Sequence, residues 1–218
     1  MSYKAVIAGA SGLIGSNLLQ ILLNDPTYDE VTILVRKGTG IQHEKLKELV
    51  IDFDELDDFA GEITGHAIFS CLGTTNSKTP DKGLYTKIDH DYPVKLAQLA
   101  LANGVEQFHL VSSIGANSQS KIFYTKLKGE TEEDISAVGI KTVHIYRPSL
   151  LIGKRKEIRL TERILTGLFY LVDPFLIGRL KKYRSIPAKT VAMAMFKQSL
   201  NNKEGVFVHP SDKIKELA

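Results

Sequence analysis

The chain has 218 residues, 43% of them hydrophobic and 24% charged, which suits one globular domain with a full core and excludes a disordered or fibrous protein. Its formal charge of +3 is too small to point to nucleic acid, so any basic feature has to be argued locally. The single cysteine, Cys71, excludes a disulfide framework and a cysteine-built metal site, and fits a reducing cytoplasm.

The opening residues, MSYKAVIAGASG, lack the charged-then-apolar layout of a secretory signal. They run directly into YKAVIA (3–8), which reads as a buried strand, then a glycine turn and a helix around SNLLQILLN. EVTILVR (30–36), LVIDF (49–53) and HAIFSCLG (66–73) read as strands two to four. DHDYPVKLAQLALANGV (89–105) predicts a helix that turns Leu96, Leu99, Ala100 and Val105 to the core and ends at Asn103-Gly104. QFHLVSS (107–113) is a fifth strand, a helix carrying Tyr124 and Lys128 follows, and KTVHIYRP (141–148) is a sixth. Strands alternating with helices, without hairpin signals, predict an α/β fold built on a doubly wound parallel sheet. Beyond Ser149 the alternation fades into a basic, partly helical stretch, so residues 150–186 read as a small substrate-covering insert in a single domain spanning 1–218. The longest apolar segment, residues 164–178, is broken by Asp173 and Pro174 and is too short to cross a bilayer; a soluble, cytoplasmic protein is expected.

Gly9, Gly12 and Gly15 recur every three residues between the first strand and an apolar helix. That context gives a sharp turn, room for a pyrophosphate to approach the backbone, and helix N-terminal amides to meet its charge, the signature of a Rossmann nucleotide-binding turn. The second strand ends in VRKG. An acidic residue there would bind the adenosine ribose and repel a 2′-phosphate, whereas Arg36 and Lys37 suit that phosphate and favour NADP(H) over NAD(H).

GASGLIG, with its G-x-x-G-x-x-G spacing, SCLGTT (70–75) and VSSIGA (111–116) followed by YTKLK together resemble the short-chain dehydrogenase/reductase superfamily, in its extended and atypical branches. Within it the chain resembles the small Tat-interacting-protein oxidoreductases, specifically over the first 150 residues and loosely after that. The resemblance implies that Gly9, Ser11, Gly12, Leu13, Ile14 and Gly15 cradle a pyrophosphate. It implies that Arg36 and Lys37 hold a 2′-phosphate, and that Asp52, with Phe53 beside it, meets the adenine. Cys71, Leu72, Gly73 and Thr74 would form a backbone ledge under ribose and pyrophosphate, and Pro148, Leu150 and Leu151 would pass near the nicotinamide carboxamide.

Tyr124 and Lys128, four residues apart, share one face of a helix. The resemblance makes Ser113, Tyr124 and Lys128 a catalytic set. The tyrosine hydroxyl would exchange a proton with the substrate oxygen, helped by a neighbouring ammonium that favours its ionised form. The lysine would also bind the nicotinamide ribose, and the serine would steady the oxygen as charge builds. Strand alignment selects Ser113 over Ser112, whose hydroxyl is expected to bond nearby backbone. The rival reading is a non-catalytic NADP(H)-binding regulator that reports redox state to a partner; retention of all three residues separates the two.

Six histidines are scattered without a metal-ligand spacing, and His66 and His109 read as core or edge residues. Asp89 and Tyr92 open a helix, where capping and packing explain them as well as a cofactor does. KGETEED (128–134) reads as a solvated charged helix. GKRKEIR (153–159) and GRLKKYR (178–184), with the apolar GLFYLVDPFLI between them, would give a small-molecule pocket a cationic rim suited to an anionic group, or seat it on an anionic surface. Met193 and Met195 read as packing residues. Substrate identity and a choice between monomer and homodimer are not encoded in any pattern.

Overall fold

The computed structural model describes residues 3–153, 176 and 178–218. GKRKEIR and GLFYLVDPFLI therefore fall almost wholly outside the described residues, while GRLKKYR contains a 3-10 helix, Gly178–Tyr183.

Seven strands form one parallel sheet: β1 (Tyr3–Ala8), β2 (Tyr28–Val35), β3 (Leu46–Val50), β4 (Ala67–Ser70), β5 (Gln107–Val111), β6 (Thr142–Arg147) and, after two short strands, β9 (Gly205–Pro210). Their order is β3-β2-β1-β4-β5-β6-β9, so the winding reverses between β1 and β4. A doubly wound sheet opens its ligand crevice at that reversal, beyond the C-terminal ends of the strands. β7 (Leu151–Ile152) and β8 (Ile186–Pro187) pair as a separate two-stranded sheet.

Helices cover both faces because the strands are apolar on both. On one side α1 (Leu13–Asn24) and α5 (Ala188–Ser199) pack over Ile7, Ile33 and Phe69, with Leu18 and Leu22 of α1 fully buried four residues apart. On the other, α3 (Tyr92–Ala102) and the 3-10 segment Phe53–Glu62 cover Val6, Ile68, Phe108 and Ile145. α4 (Phe123–Ala137) joins this layer through Ile135. Met195 is buried and Met193 partly buried in the first layer, so both are packing residues. α2 (Lys82–Thr86) and α6 (Ser211–Leu217) complete the described helices.

Three elements depart from expectation. β3 lies at 46–50 rather than 49–53: it is an edge strand whose LKELV carries charges, while Ile51 and Phe53 turn into the core after it has ended. The helix expected from residue 89 starts as a π turn, Lys87–Asp91, which runs on into α3. β9 was not anticipated, because Val206 and Val208 of this edge strand face outward and its partner β6 lies about sixty residues back.

Four of the six histidines, scattered in sequence, gather on one face of the sheet. His109, His144 and Tyr146 stack across β5 and β6, and His144 stacks on His209 of β9. His144 Nδ1 and His209 Nε2 share a hydrogen bond at 2.9 Å, His109 Nδ1 meets the Tyr146 hydroxyl at 3.1 Å, and His66 Nε2 lies 2.8 Å from the Ser199 carbonyl. Burial, then the charge of neighbouring groups, lowers His144 and His209 to about 4 and His109 well below the ordinary value. An unfolded histidine takes its proton near pH 6.5, so between 6.5 and about 4 the unfolded chain binds more protons. Stability is therefore fully present above pH 6.5 and falls as the pH drops toward 4, by roughly 3 kcal/mol for each of His144 and His209. Urea midpoints across that range are expected to fall steeply in the native chain and less in His144→Phe; parallel profiles would contradict this.

Candidate functional site

The glycine turn, the ledge after β4 and the helix carrying Tyr124 and Lys128 meet at the winding reversal. Gly9 has φ +85°, which favours glycine, and a Cβ there would lie 2.6 Å from the Cys71 carbonyl oxygen. A Cβ on Gly15 would lie 2.2 Å from the Gly9 carbonyl oxygen. The turn, the first turn of α1 and the end of β4 are thus packed backbone to backbone. Gly12 donates its N–H to the Gly9 carbonyl at 3.0 Å and N-caps α1, with no side-chain cap and no acid in the first turn. The amides at the start of α1 are left to meet an anion beside the exposed Ser11. Ile14 sends its side chain into the core, so only its backbone can serve a ligand.

Arg36 and Lys37 stand exposed immediately after β2. Asp52 follows β3 and caps the 3-10 segment by accepting from Asp54 N at 3.0 Å, which leaves the rest of its exposed carboxylate free to receive a donor. The Phe53 ring is buried against Tyr92, 5.4 Å between centroids, so only its backbone lies at the strand end. The Tyr92 hydroxyl donates to Asp54 Oδ1 at 2.8 Å, a packing and capping role.

After β4, Cys71 and Leu72 back onto Gly9. Burial pushes the Cys71 thiol up to about 12, so it stays protonated and is no nucleophile. Thr74 N donates to Asp89 Oδ2 at 2.8 Å, and Asp89 Oδ1 lies 2.8 Å from Lys128 Nζ. Both Asp89 and Lys128 are buried. The second contact is an ion pair whose angles are not those of a hydrogen bond, since Asp89 Oδ1 has no hydrogen-bond partner. Thr131 Oγ1 of α4 donates to the Asp89 carbonyl at 3.1 Å, fastening α4 to the π turn. Asp89 therefore does more than cap or pack: it fixes Lys128 against the ledge, where a Cβ on Gly73 would lie 3.9 Å from Nζ.

Ser113 Oγ is buried and has no hydrogen-bond partner. Ser112 differs from expectation: its hydroxyl donates to the Glu132 carboxylate rather than to backbone. Glu132 is buried and is held by the Arg147 guanidinium, whose Nε lies 3.0 Å from Oε1. KGETEED is accordingly only half a solvated face, for Lys128, Gly129, Thr131 and Glu132 all point inward. Gly129 is required there, since a Cβ would lie 2.1 Å from Ser118 N. That close approach seats the loop after β5 on α4, with Asn117 N donating to the Thr125 carbonyl at 2.9 Å and Ile114 N to the Pro148 carbonyl at 2.9 Å. Pro148 is thereby tied to the segment that carries Ser113, Leu150 is exposed, and Leu151 enters β7 and packs on the core. The chain after β7 crosses Leu13, whose Cδ1 would lie 2.6 Å from a Cβ on Gly153.

Tyr124 lies exposed on the first turn of α4, one turn before Lys128. Tyr85, which sequence reasoning missed, is its neighbour: its hydroxyl donates to the Thr74 carbonyl at 3.3 Å, and its ring meets Phe123 edge-on at 5.6 Å. Burial, then the nearby Asp89 and Tyr124, pushes the Tyr85 phenol well up, so it stays a proton donor to the ledge. Among the described residues no group of three or more side chains could hold a metal, and no helix is long and apolar enough to cross a membrane.

Comparison with known proteins agrees with this geometry. The profile of a family described as NAD(P)H-binding matches residues 9–163. The rat protein HTATIP2 is 35% identical over 208 residues, covering 93% of this chain and 82% of its own. Protein FMP52-1, mitochondrial, of Scheffersomyces stipitis is 33% identical over 158 residues, covering 70% and 69%. Among solved structures, the Bordetella bronchiseptica enzyme WbmH in complex with NAD+ superposes with a TM-score of 0.73 at 17% identity, covering 99% of this chain and 79% of that one. MoeE5 in complex with UDP-glucose and NAD gives 0.72 at 16% identity, covering 94% and 75%. At those identities the structures establish the fold alone.

Proposed function

The chain belongs to the NAD(P)H-binding family, and from that premise we propose that it is an NADP(H)-dependent oxidoreductase of the short-chain type, acting on a carbonyl or the matching alcohol. The observation that carries this reading is the buried Ser113 hydroxyl, which has no partner of its own and closely precedes the helix bearing Tyr124 and Lys128. A buried hydroxyl without a partner costs on the order of 1–3 kcal/mol unless a ligand oxygen supplies one.

The residues present fit the cofactor. Gly9 and Gly15 admit no side chain because the turn packs backbone to backbone on the end of β4 and the start of α1, and the uncapped start of α1 favours a pyrophosphate's charge. Arg36 and Lys37 would hold the 2′-phosphate, Asp52 the adenine, and the Cys71–Thr74 ledge the ribose. When bound, NADPH supplies two electrons and a hydrogen as hydride to the carbonyl carbon. Tyr124 Oη gives its proton to the carbonyl oxygen, completing the alcohol, and Ser113 Oγ donates a hydrogen bond to that oxygen as negative charge builds. Lys128, steadied by Asp89, presents its ammonium to the ribose hydroxyls and the phenol.

One feature favours the rival, a non-catalytic NADP(H)-binding regulator. The Lys128 ammonium, the cation the hydride-transfer reading needs beside Tyr124, is already paired with the buried Asp89 carboxylate. Turnover decides between the two.

Because the chain has no tryptophan, the nicotinamide's own fluorescence reports binding directly. Titration is expected to show NADPH binding more tightly than NADH. Arg36→Ala should weaken NADPH roughly ten- to a hundredfold, the loss of a charged hydrogen bond, and leave NADH unchanged. Equal affinities in the native chain would remove the case for NADP(H).

A further inference from the structure

Beside Tyr124 stands an exposed apolar face built from two elements. Ile122 and Phe123 lead into α4 immediately before Tyr124, and Leu84 sits next to Tyr85 in α2. All three are exposed, Ile122 at 66% and Leu84 at 47%. The edge-on contact of Tyr85 with Phe123 and the Lys82 ammonium, 5.6 Å over the Phe123 ring, join the two elements. The Tyr85 hydroxyl anchors the face to the Thr74 carbonyl, on the same ledge that Asp89 holds through Thr74 N.

Single exposed apolar side chains are ordinary on a protein surface. This group differs because Tyr85 lies near both Phe123 and Tyr124 and so ties it to the acid–base residue. An occupant with its reacting oxygen at Tyr124 would have Ile122, Phe123 and Leu84 as the nearby exposed apolar side chains of α4 and α2. Lys82 already sits on the Phe123 ring, and Lys121 lies beyond Ile122, one residue farther from Tyr124. A sugar diphosphate gains nothing from the three apolar side chains, whereas an alkyl or aryl group gains about three- to fourfold in affinity for each methylene it buries.

We propose that this face is the substrate subsite, and that it selects carbonyl compounds bearing a sizeable alkyl or aryl group. The inference rests on the hydride-transfer reading for its choice of reacting group, so its test is binding rather than turnover. Octanol and propanol are titrated calorimetrically into the full chain saturated with NADP+. Octanol is expected to bind at least about thirtyfold more tightly, the gain from burying about three of its five additional methylenes on this open face. Leu84→Ser combined with Ile122→Ser should reduce that advantage at least about tenfold, with NADP+ affinity as the control for folding, since both side chains are exposed. Equal binding of the two alcohols, or an advantage that survives the double substitution, overturns the inference. If octanol binds as expected yet octanal is not reduced by NADPH, the subsite stands and the hydride-transfer reading falls.

Discussion

Tyr124→Phe is expected to lower carbonyl turnover roughly a hundred- to ten-thousandfold, the usual worth of a positioned acid–base group, while NADPH affinity stays within about twofold. The substitution deletes one oxygen from an exposed ring at the start of α4 and disturbs no packing, so folding is unaffected. In the proposed mechanism only the proton delivered to the substrate oxygen is lost. Steady-state rates on an aldehyde, read beside nicotinamide fluorescence titrations, separate the two effects. Turnover that survives the change would remove Tyr124 from the chemistry. A parallel loss of cofactor binding would make it a cofactor contact instead.

Asp89→Ala is expected to destabilise the fold by about 3–5 kcal/mol, because breaking a buried ion pair leaves the other charge without compensation. Lys128 is buried 2.8 Å from Asp89 Oδ1, and Thr74 N loses its acceptor at the same time. Asp89→Asn keeps an oxygen for Thr74 and removes only the charge, so it should recover part of that loss. Urea unfolding gives the stability. NADPH affinity should fall in both variants, since Lys128 and the Thr74 ledge are then no longer fixed. A stability change below about 0.5 kcal/mol in Asp89→Ala would show that the pair does not hold the site together, because that is the ordinary scatter of surface substitutions.

The sheet was legible because its evidence is local. Central strands buried on both faces, such as AVIA and AIFS, announce themselves as apolar runs, and Gly9-Gly12-Gly15 between strand and helix permits few readings. Edge strands were harder. β3 carries Lys47 and Glu48, and β9 turns Val206 and Val208 outward, so neither shows the pattern of a buried strand.

Polar partners across the fold left no local signal. Ser112 and Glu132 are twenty residues apart, Asp89 and Lys128 thirty-nine, and His144 and His209 sixty-five. Each side chain alone reads as surface decoration or ordinary core. Only the parallel register of β5, β6 and β9 places the histidines side by side, and only the π turn before α3 aims Asp89 at Lys128. Gly129 could have been noticed as a glycine inside a helix, where it costs about 1 kcal/mol relative to alanine and so calls for a packing reason.

The most direct test is transfer of label from NADPH carrying deuterium at nicotinamide C4. With octanal as acceptor, the native chain is expected to place one deuterium on the carbon bearing the new hydroxyl, and Tyr124→Phe to place essentially none in the same time. Octanol free of deuterium when both C4 positions of the NADPH carry it, or NADPH that binds tightly while no aldehyde or ketone is reduced, would contradict hydride transfer and leave a cofactor-binding protein without this chemistry.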